Sequence, residues 1–95
     1  MTMTYLKKSV VLLAVGKRIR YIREKKSLTQ KDIASKAGIA ISQVGRIERG
    51  EINSSVSTLF VISDAMKTEL KNLFELKKFK SKRSRKRMLN KKFNI

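Results

Sequence analysis

Apolar residues recur at helical spacing through the middle of the chain and predict five short helices. Val15, Ile19 and Ile22 fall at i, i+4 and i+7, which puts them on one face of a first helix. Similar spacing predicts four further helices, whose apolar positions are Ile33, Ala34 and Ala37, then Val44 and Ile47, then Leu59, Ile62 and Met66, and finally Leu70, Leu73 and Phe74. The pattern therefore predicts a compact all-α fold of five helices.

Capping residues mark the ends of the second and third helices. Thr29 and Asp32 form a capping box, in which the Thr29 hydroxyl accepts the amide hydrogen of Asp32 and the carboxylate reaches back. Gly38 can end the second helix because glycine readily takes positive φ. The third helix is predicted over Ile41–Glu48, and Gly50 ends it in the same way.

The two ends of the chain differ in composition from the helical middle. We predict an N-terminal extension over residues 1–14, a helical domain over 15–76 and a basic tail over 77–95 that is disordered on its own. The apolar run at residues 10–15 fits either an early start of the first helix, with Ser9 as its cap, or a short strand. This run is shorter than the apolar region of a signal peptide and too short to span a bilayer.

The large positive charge of the chain indicates that its partner is a polyanion. Lys and Arg number 24 against 7 Asp and Glu, giving a net charge of +17. Nucleic acid and an anionic membrane surface are the partners that such an excess favours. The chain has no Cys and no His, which excludes disulfides, Cys/His zinc sites and nucleophile–histidine catalysis. We therefore expect no enzyme activity, no metal and no cofactor.

The span from Gly16 to Phe74 resembles the helix-turn-helix family of the lambdoid phage repressors, Cro and related bacterial regulators of the XRE type. The segments that carry the resemblance are "GKRIRYIREKKSLTQKDIASKAGI", "ISQVGRIERGE", "VSTLFVISDAM" and "LKNLF". They follow one another in the order and at the spacing of that family. The resemblance implies a five-helix, lambda repressor-like domain that binds double-stranded DNA.

The resemblance also implies a role for individual residues. Arg23 and Glu48 match an internal ion pair, and Val44 and Ile47 match the buried face of the recognition helix. The matched base-contacting positions are Ile41, Ser42, Gly45 and Arg46. The matched positions for DNA-backbone contacts are Thr29, Gln30, Gln43, Arg49, Asn53 and Ser54.

Helical spacing independently places the base-contacting positions and Arg49 on one outward face. On that face, Arg46 offers the fork that pairs with guanine. Each of three residues also has an interpretation without DNA contact. Arg46 could be a solvated surface residue, Ile41 could pack against the edge of the core, and Ser54 could be only a loop residue. We interpret Gly45, which costs helix stability, as letting the backbone approach the groove closely.

Three residues depart from the family pattern. Ala40 stands where Ser or Thr usually caps the recognition helix, Ser54 replaces a common Pro, and Lys67 replaces the Gly that often ends the fourth helix. We expect a recognition helix without a side-chain cap, a looser loop and a different turn after the fourth helix.

The function predicted from these features is a sequence-specific transcription regulator, a dimeric repressor that reads the major groove with residues 41–48. We expect it in a prokaryotic cytoplasm, associated with the nucleoid when bound, with no membrane contact and no small-molecule ligand. The predicted dimer surface is Phe60, Met66, Leu70, Leu73 and Leu76, and the apolar run of the extension competes with it. Within this class, the chain could be a phage or plasmid repressor, a restriction–modification controller, or an antitoxin that represses its own operon and has a toxin as a second partner. The alternatives from other classes are a non-specific DNA- or RNA-binding protein and a membrane-active protein.

Overall fold

The computed structural model describes residues 2–76, with side chains from residue 8 onward. Helix α1 spans Thr2–Lys25, α2 spans Gln30–Ala37, α3 spans Ile41–Glu48 and α4 spans Val56–Ala65; a 3-10 helix at Leu70–Phe74 follows. Across residues 2–76 there is no strand, so the predicted all-α class is confirmed. The predicted basic tail, residues 77–95, lies outside the described residues.

The fifth predicted helix is a 3-10 helix of five residues, so the described part holds four α-helices instead of five. Glu69 precedes it and makes no side-chain capping bond. A 3-10 helix has three residues per turn, which superimposes Leu70 and Leu73 on one side. Leu73 is fully buried and Leu70 packs against the core. The spacing of these two leucines therefore suits the tighter helix.

Helix α1 is longer than predicted and runs without a break through the apolar run at residues 10–15. That run is helical, not a strand, and Ser9 lies inside the helix and not at its cap. Ala14 is buried and Val11 packs against the core. The second half of the predicted extension therefore joins the helical domain through direct packing.

The core lies where α1, α2, α3, α4 and the 3-10 helix meet. Helix α1 packs on α3 and on the 3-10 helix, α2 packs on α3 and α4, and α4 packs on the 3-10 helix. The buried apolar cluster is Val15, Ile19, Ile22, Ile33, Ala34, Val44, Ile47, Leu59, Ile62, Ala65, Met66 and Leu73. Every element contributes at least one member, which fixes the position of α3 from several sides.

The end of α3 comes unusually close to α1. A Cβ atom on Gly16 would meet the backbone carbonyl oxygens of Ile47 and Glu48, and a Cβ on Gly50 would lie 2.9 Å from the Cα of Leu13. Glycine at these two positions lets the backbones touch. This approach holds the C-terminal end of α3 firmly against the scaffold.

Candidate nucleic-acid interface

Helix α3 turns one face into the core and the opposite face outward. Val44 and Ile47 are buried, whereas Ile41, Ser42 and Arg46 are exposed. The helix begins after Ala40, which provides no side-chain hydrogen bond to the first turn. The predicted lack of a cap is therefore confirmed, and the helix relies on packing of its inner face.

Helix α2 is capped at both ends and sets the turn into α3. The Thr29 hydroxyl accepts from the Asp32 amide at 3.0 Å, and Asp32 Oδ2 accepts from the Thr29 amide at 2.8 Å, which confirms the predicted capping box. The hydrogen bond from the Thr29 amide, followed by one from the Thr29 side chain, lowers the pKa of Asp32 below its ordinary value. At the other end Gly38 has φ of 72°, and its amide donates to the Ala34 carbonyl. The chain then reverses into α3 over two residues.

A buried ion pair ties α1 to the end of α3. Arg23 Nε lies 2.6 Å from Glu48 Oε2, and Arg23 Nη2 lies 3.1 Å from Oε1. The side chains are 12% and 4% exposed. The hydrogen bond to Glu48 raises the pKa of Arg23, and Arg23 Nη1 also donates to the Leu28 carbonyl at 2.9 Å. Removing one partner of such a pair costs about 3–5 kcal/mol because it strands a buried charge.

Gln30 extends this ion pair toward the outer surface. Its Nε2 donates to Glu48 Oε1 at 2.9 Å, so the side chain of the first residue of α2 is held against α3. The carbonyl oxygen of the same amide lies 3.5 Å from where a Cβ on Gly45 would be. The Gln30 amide therefore lies directly beside Gly45, at a distance that a methyl group could share.

The four predicted base-contacting residues do not all face outward. Ile41, Ser42 and Arg46 are exposed, whereas Gly45 is buried. A Cβ added to Gly45 would have the Arg49 and Gln30 side chains as its nearest neighbours, with Arg49 Nη1 at 3.1 Å. The backbone at Gly45, which was expected to be open to the groove, is thus covered by two neighbouring side chains.

The predicted backbone-contacting residues lie around this face in different settings. Thr29, Arg49 and Asn53 are exposed, and Gln30 and Gln43 are half-buried. Ser54 differs, because its Oγ is buried and has no hydrogen-bond partner among the described residues. It lines an apolar hollow with Val11 and Val56. The Ser54 hydroxyl is therefore buried and not presented at the outer surface.

Glu51 belongs to this face although sequence reasoning did not select it. Its Oε2 accepts from Arg49 Nε at 2.7 Å, and its Oε1 lies 4.0 Å from Arg46 Nε. The hydrogen bond from Arg49 lowers the pKa of Glu51, and the same bond raises the pKa of Arg49. An acidic residue two positions beyond an outward arginine, across a glycine turn, was the available signal.

Two residues of the predicted dimer surface are removed from it by the fold. Met66 and Leu73 are buried in the core of the chain and present nothing to a second copy. The reason is that α4 and the 3-10 helix pack on each other, and both side chains belong to the core cluster. Phe60 is 53% exposed, and Leu70 and Leu76 are half-buried.

Other kinds of site are not found in the described part of the chain. No three acidic side chains cluster there in a way that could hold a metal ion. None of its helices combines the length and the apolar character needed to cross a membrane.

Comparison with known proteins identifies the fold and the family. Residues 19–73 match the HTH_3 family, described as helix-turn-helix. The immunity repressor protein of Bacillus phage phi105 is 41% identical over 54 residues, which span 57% of this chain and 38% of that protein. The chain thus spans well under half the length of this relative.

Solved structures similar to this chain support the same fold. The restriction-modification controller protein C.AhdI from Aeromonas hydrophila superimposes with a TM-score of 0.65 at 35% identity, covering 66% of this chain and 96% of that chain. An HTH_3 family transcriptional regulator from Vibrio cholerae, with a TM-score of 0.67 at 21% identity over 70% of this chain and 38% of that one, shares the fold. The family match covers more than half of the sequence and includes every residue of α2, α3 and α4. The chain belongs to the helix-turn-helix family of DNA-binding transcription regulators.

Proposed function

We propose that this protein is a sequence-specific repressor that binds double-stranded DNA by placing α3 in the major groove. The observation that carries the proposal is the outward face of α3, where Ile41, Ser42 and Arg46 are exposed while the inner face is anchored in the core. A major groove about 12 Å wide admits one α-helix. An anchored helix with an exposed arginine is suited to read base edges there.

Each exposed side chain has a chemical counterpart in the groove. The Arg46 guanidinium can donate two parallel hydrogen bonds to guanine O6 and N7, Ser42 can bond to several bases, and Ile41 can contact a thymine methyl. Gln30, Gln43, Arg49 and Asn53 are placed to contact the phosphate backbone on either side. Phosphate contacts position the protein, and base contacts give the sequence preference.

We favour repression over activation because one relative of the chain is the immunity repressor protein of a Bacillus phage. The likeness to a restriction-modification controller protein supports control of a neighbouring gene as the second candidate within the same class. Both functions use the same DNA-binding face, and both require the cytoplasm, where the DNA is.

We further propose that the protein acts as a homodimer. Val56 and Phe60, four residues apart on α4, are 67% and 53% exposed, and Phe74 is also exposed. A helix that is apolar on its outer face as well as its inner face usually packs on both. A two-fold dimer would present two copies of α3 to half-sites about one helical turn apart.

The predicted basic tail would add affinity without sequence preference. Ten of the 24 basic residues and only one acidic residue lie within 75–95. Charges of this density bind phosphates and release counterions, which makes binding strongly dependent on salt.

The test is selection of bound sequences from random DNA at a stated salt concentration, followed by binding measurements on the selected site and on random DNA. We expect a clear preference, and Arg46→Ala should weaken binding to the selected site by about 1–3 kcal/mol and relax the choice at one base pair. Equal loss on random DNA would make Arg46 a phosphate contact. Equal affinity of the unchanged protein for both DNAs, with one steep salt dependence, would instead favour the non-specific binding protein.

A further inference from the structure

Glu51 lies between the two exposed arginines of the DNA-binding face. Arg49 follows α3 directly, and Gly50, with φ of 72°, turns the chain back. The Glu51 amide donates to the Arg46 carbonyl at 2.9 Å, which fixes the backbone of the turn. The Glu51 side chain is thereby returned to the outer side of α3.

The Glu51 carboxylate is within ion-pair distance of both arginines. Arg49 Nε donates to Oε2 at 2.7 Å and Arg49 Nη2 donates to Oε1 at 3.4 Å. Arg46 Nε lies 4.0 Å from Oε1. One negative charge therefore faces two positive charges at the point where the protein would meet a polyanion.

This arrangement contributes little to folding. All three side chains are about half exposed or more, and ion pairs in water add little stability. The hydrogen bond from Arg49 holds the pKa of Glu51 below its usual range, so the carboxylate stays charged at neutral pH. These ion pairs therefore affect the binding of a charged partner at this surface more than they affect stability.

A DNA phosphate that approaches Arg46 or Arg49 competes with Glu51 and is repelled by it. Random DNA is held almost entirely through phosphates, so it bears this cost in full. A preferred site also offers a guanine edge to the Arg46 fork, and this base contact offsets part of the cost that Glu51 imposes.

From this geometry we propose that Glu51 is a specificity-determining positioning residue, whose carboxylate holds Arg49 by hydrogen bonds, lies within ion-pair distance of Arg46, and discourages the indiscriminate pairing of both arginines with phosphate. The inference rests on the proposed function and adds to it a residue that improves discrimination by weakening non-specific binding.

The experiment compares Glu51→Gln with a matched control, Glu69→Gln. Glu69 is an exposed carboxylate paired with Lys71 at 3.4 Å, so its removal changes the net charge equally. Dissociation constants are measured for both variants and the unchanged protein on the selected site and on random DNA, at one salt concentration. Unfolding midpoints verify that each variant is folded.

Glu51→Gln is expected to lower the preference for the selected site over random DNA by about two- to fivefold, as expected for the loss of an exposed ion pair. Glu69→Gln should leave the preference unchanged. Glu51→Asp keeps the charge and should therefore retain most of the preference that Glu51→Gln loses. In an Arg46→Ala background, Glu51→Gln should alter the preference less, because only Arg49 then remains for the carboxylate to act on.

A preference that Glu51→Gln leaves unchanged, or raises, would overturn the inference while the proposed function stands. An unchanged protein that binds both DNAs equally would overturn the proposed function and the inference together.

Discussion

Two glycines in the left-handed conformation end the two helices of the helix-turn-helix, but their surroundings differ. Gly38 and Gly50 both have φ of 72°. A Cβ at Gly38 would meet nothing within 4 Å, whereas a Cβ at Gly50 would lie 2.9 Å from the Leu13 Cα. Gly38 is therefore required by conformation alone, and Gly50 by conformation and by space.

Substituting each of these glycines by alanine separates the two requirements. Gly38→Ala should cost about 1–2 kcal/mol, the penalty for a left-handed residue with a Cβ. Gly50→Ala should cost about 1–3 kcal/mol more, because the new methyl group pushes α3 away from α1. Chemical denaturation of both variants measures the difference. Equal losses would show that the close approach to Leu13 relaxes without destabilising the fold.

Lys67 has the conformation that the family usually gives to glycine. Its φ is 54°, its amide donates to the Asp64 carbonyl, and the Thr68 amide donates to the Ser63 carbonyl. This is the hydrogen-bond pattern of the Schellman motif. The usual turn after the fourth helix is therefore kept, with a strained lysine in place of glycine. The expectation of a different turn is wrong.

Lys67→Gly should raise the free energy of unfolding by about 0.5–1 kcal/mol, because glycine takes this conformation without a Cβ penalty but loses more chain entropy. The Lys67 carbonyl, which accepts from Lys26 Nζ at 3.1 Å, is retained in the variant. Thermal and chemical unfolding both report the change. A loss of stability would mean that the lysine side chain makes a stabilising contact of its own.

Among the helices, α3 depends most on what covers it. It has no side-chain cap and contains Gly45, yet its inner residues are buried and Glu48 is tied to Arg23 and Gln30. Gly45 is itself covered by Gln30 and Arg49. The helix is therefore stabilised mainly by contacts from other parts of the chain.

Gly45→Ala should stabilise the fold by about 0.5–1 kcal/mol, because alanine is the better helix former and its nearest neighbour is the movable end of Arg49. The same methyl group should weaken DNA binding by displacing Arg49. The control is Gly16→Ala, the same change within α1, where the methyl group would meet backbone oxygens of α3 and should destabilise strongly. Denaturation and DNA-binding measurements on both variants test this, and a destabilised Gly45→Ala would contradict it.

Within residues 8–76, two faces are candidates for contact with partners. One is the charged face around α3, and the other is the apolar outer side of α4 with Val56 and Phe60. The proposed dimer uses the second face to place two copies of the first. Because Met66 and Leu73 are buried, Phe60 is the most exposed residue of the dimer surface predicted from the sequence.

Phe60→Glu should abolish dimerisation at micromolar concentration while the chain stays folded, because it places a charge in an apolar interface. The matched control is Ile41→Glu, which changes an apolar residue of similar exposure, 48% against 53%, on the DNA-binding face. That variant should remain dimeric. Sedimentation equilibrium gives the mass of each. A Phe60→Glu variant that keeps the dimer mass would rule out this surface.

The central helices, their caps and the family could all be recognised in the amino-acid sequence. Thr29, Asp32 and Gly38 act within a few residues of chain, and the inner positions Val44 and Ile47 follow from helical spacing, so each leaves a local signal. Which surfaces are covered became visible only in the folded chain. Gly45 lies beside Gln30 from another helix, and Met66 and Leu73 lie in a core to which every element contributes. Such coverage depends on where distant segments lie, and periodicity within one helix carries no information about that.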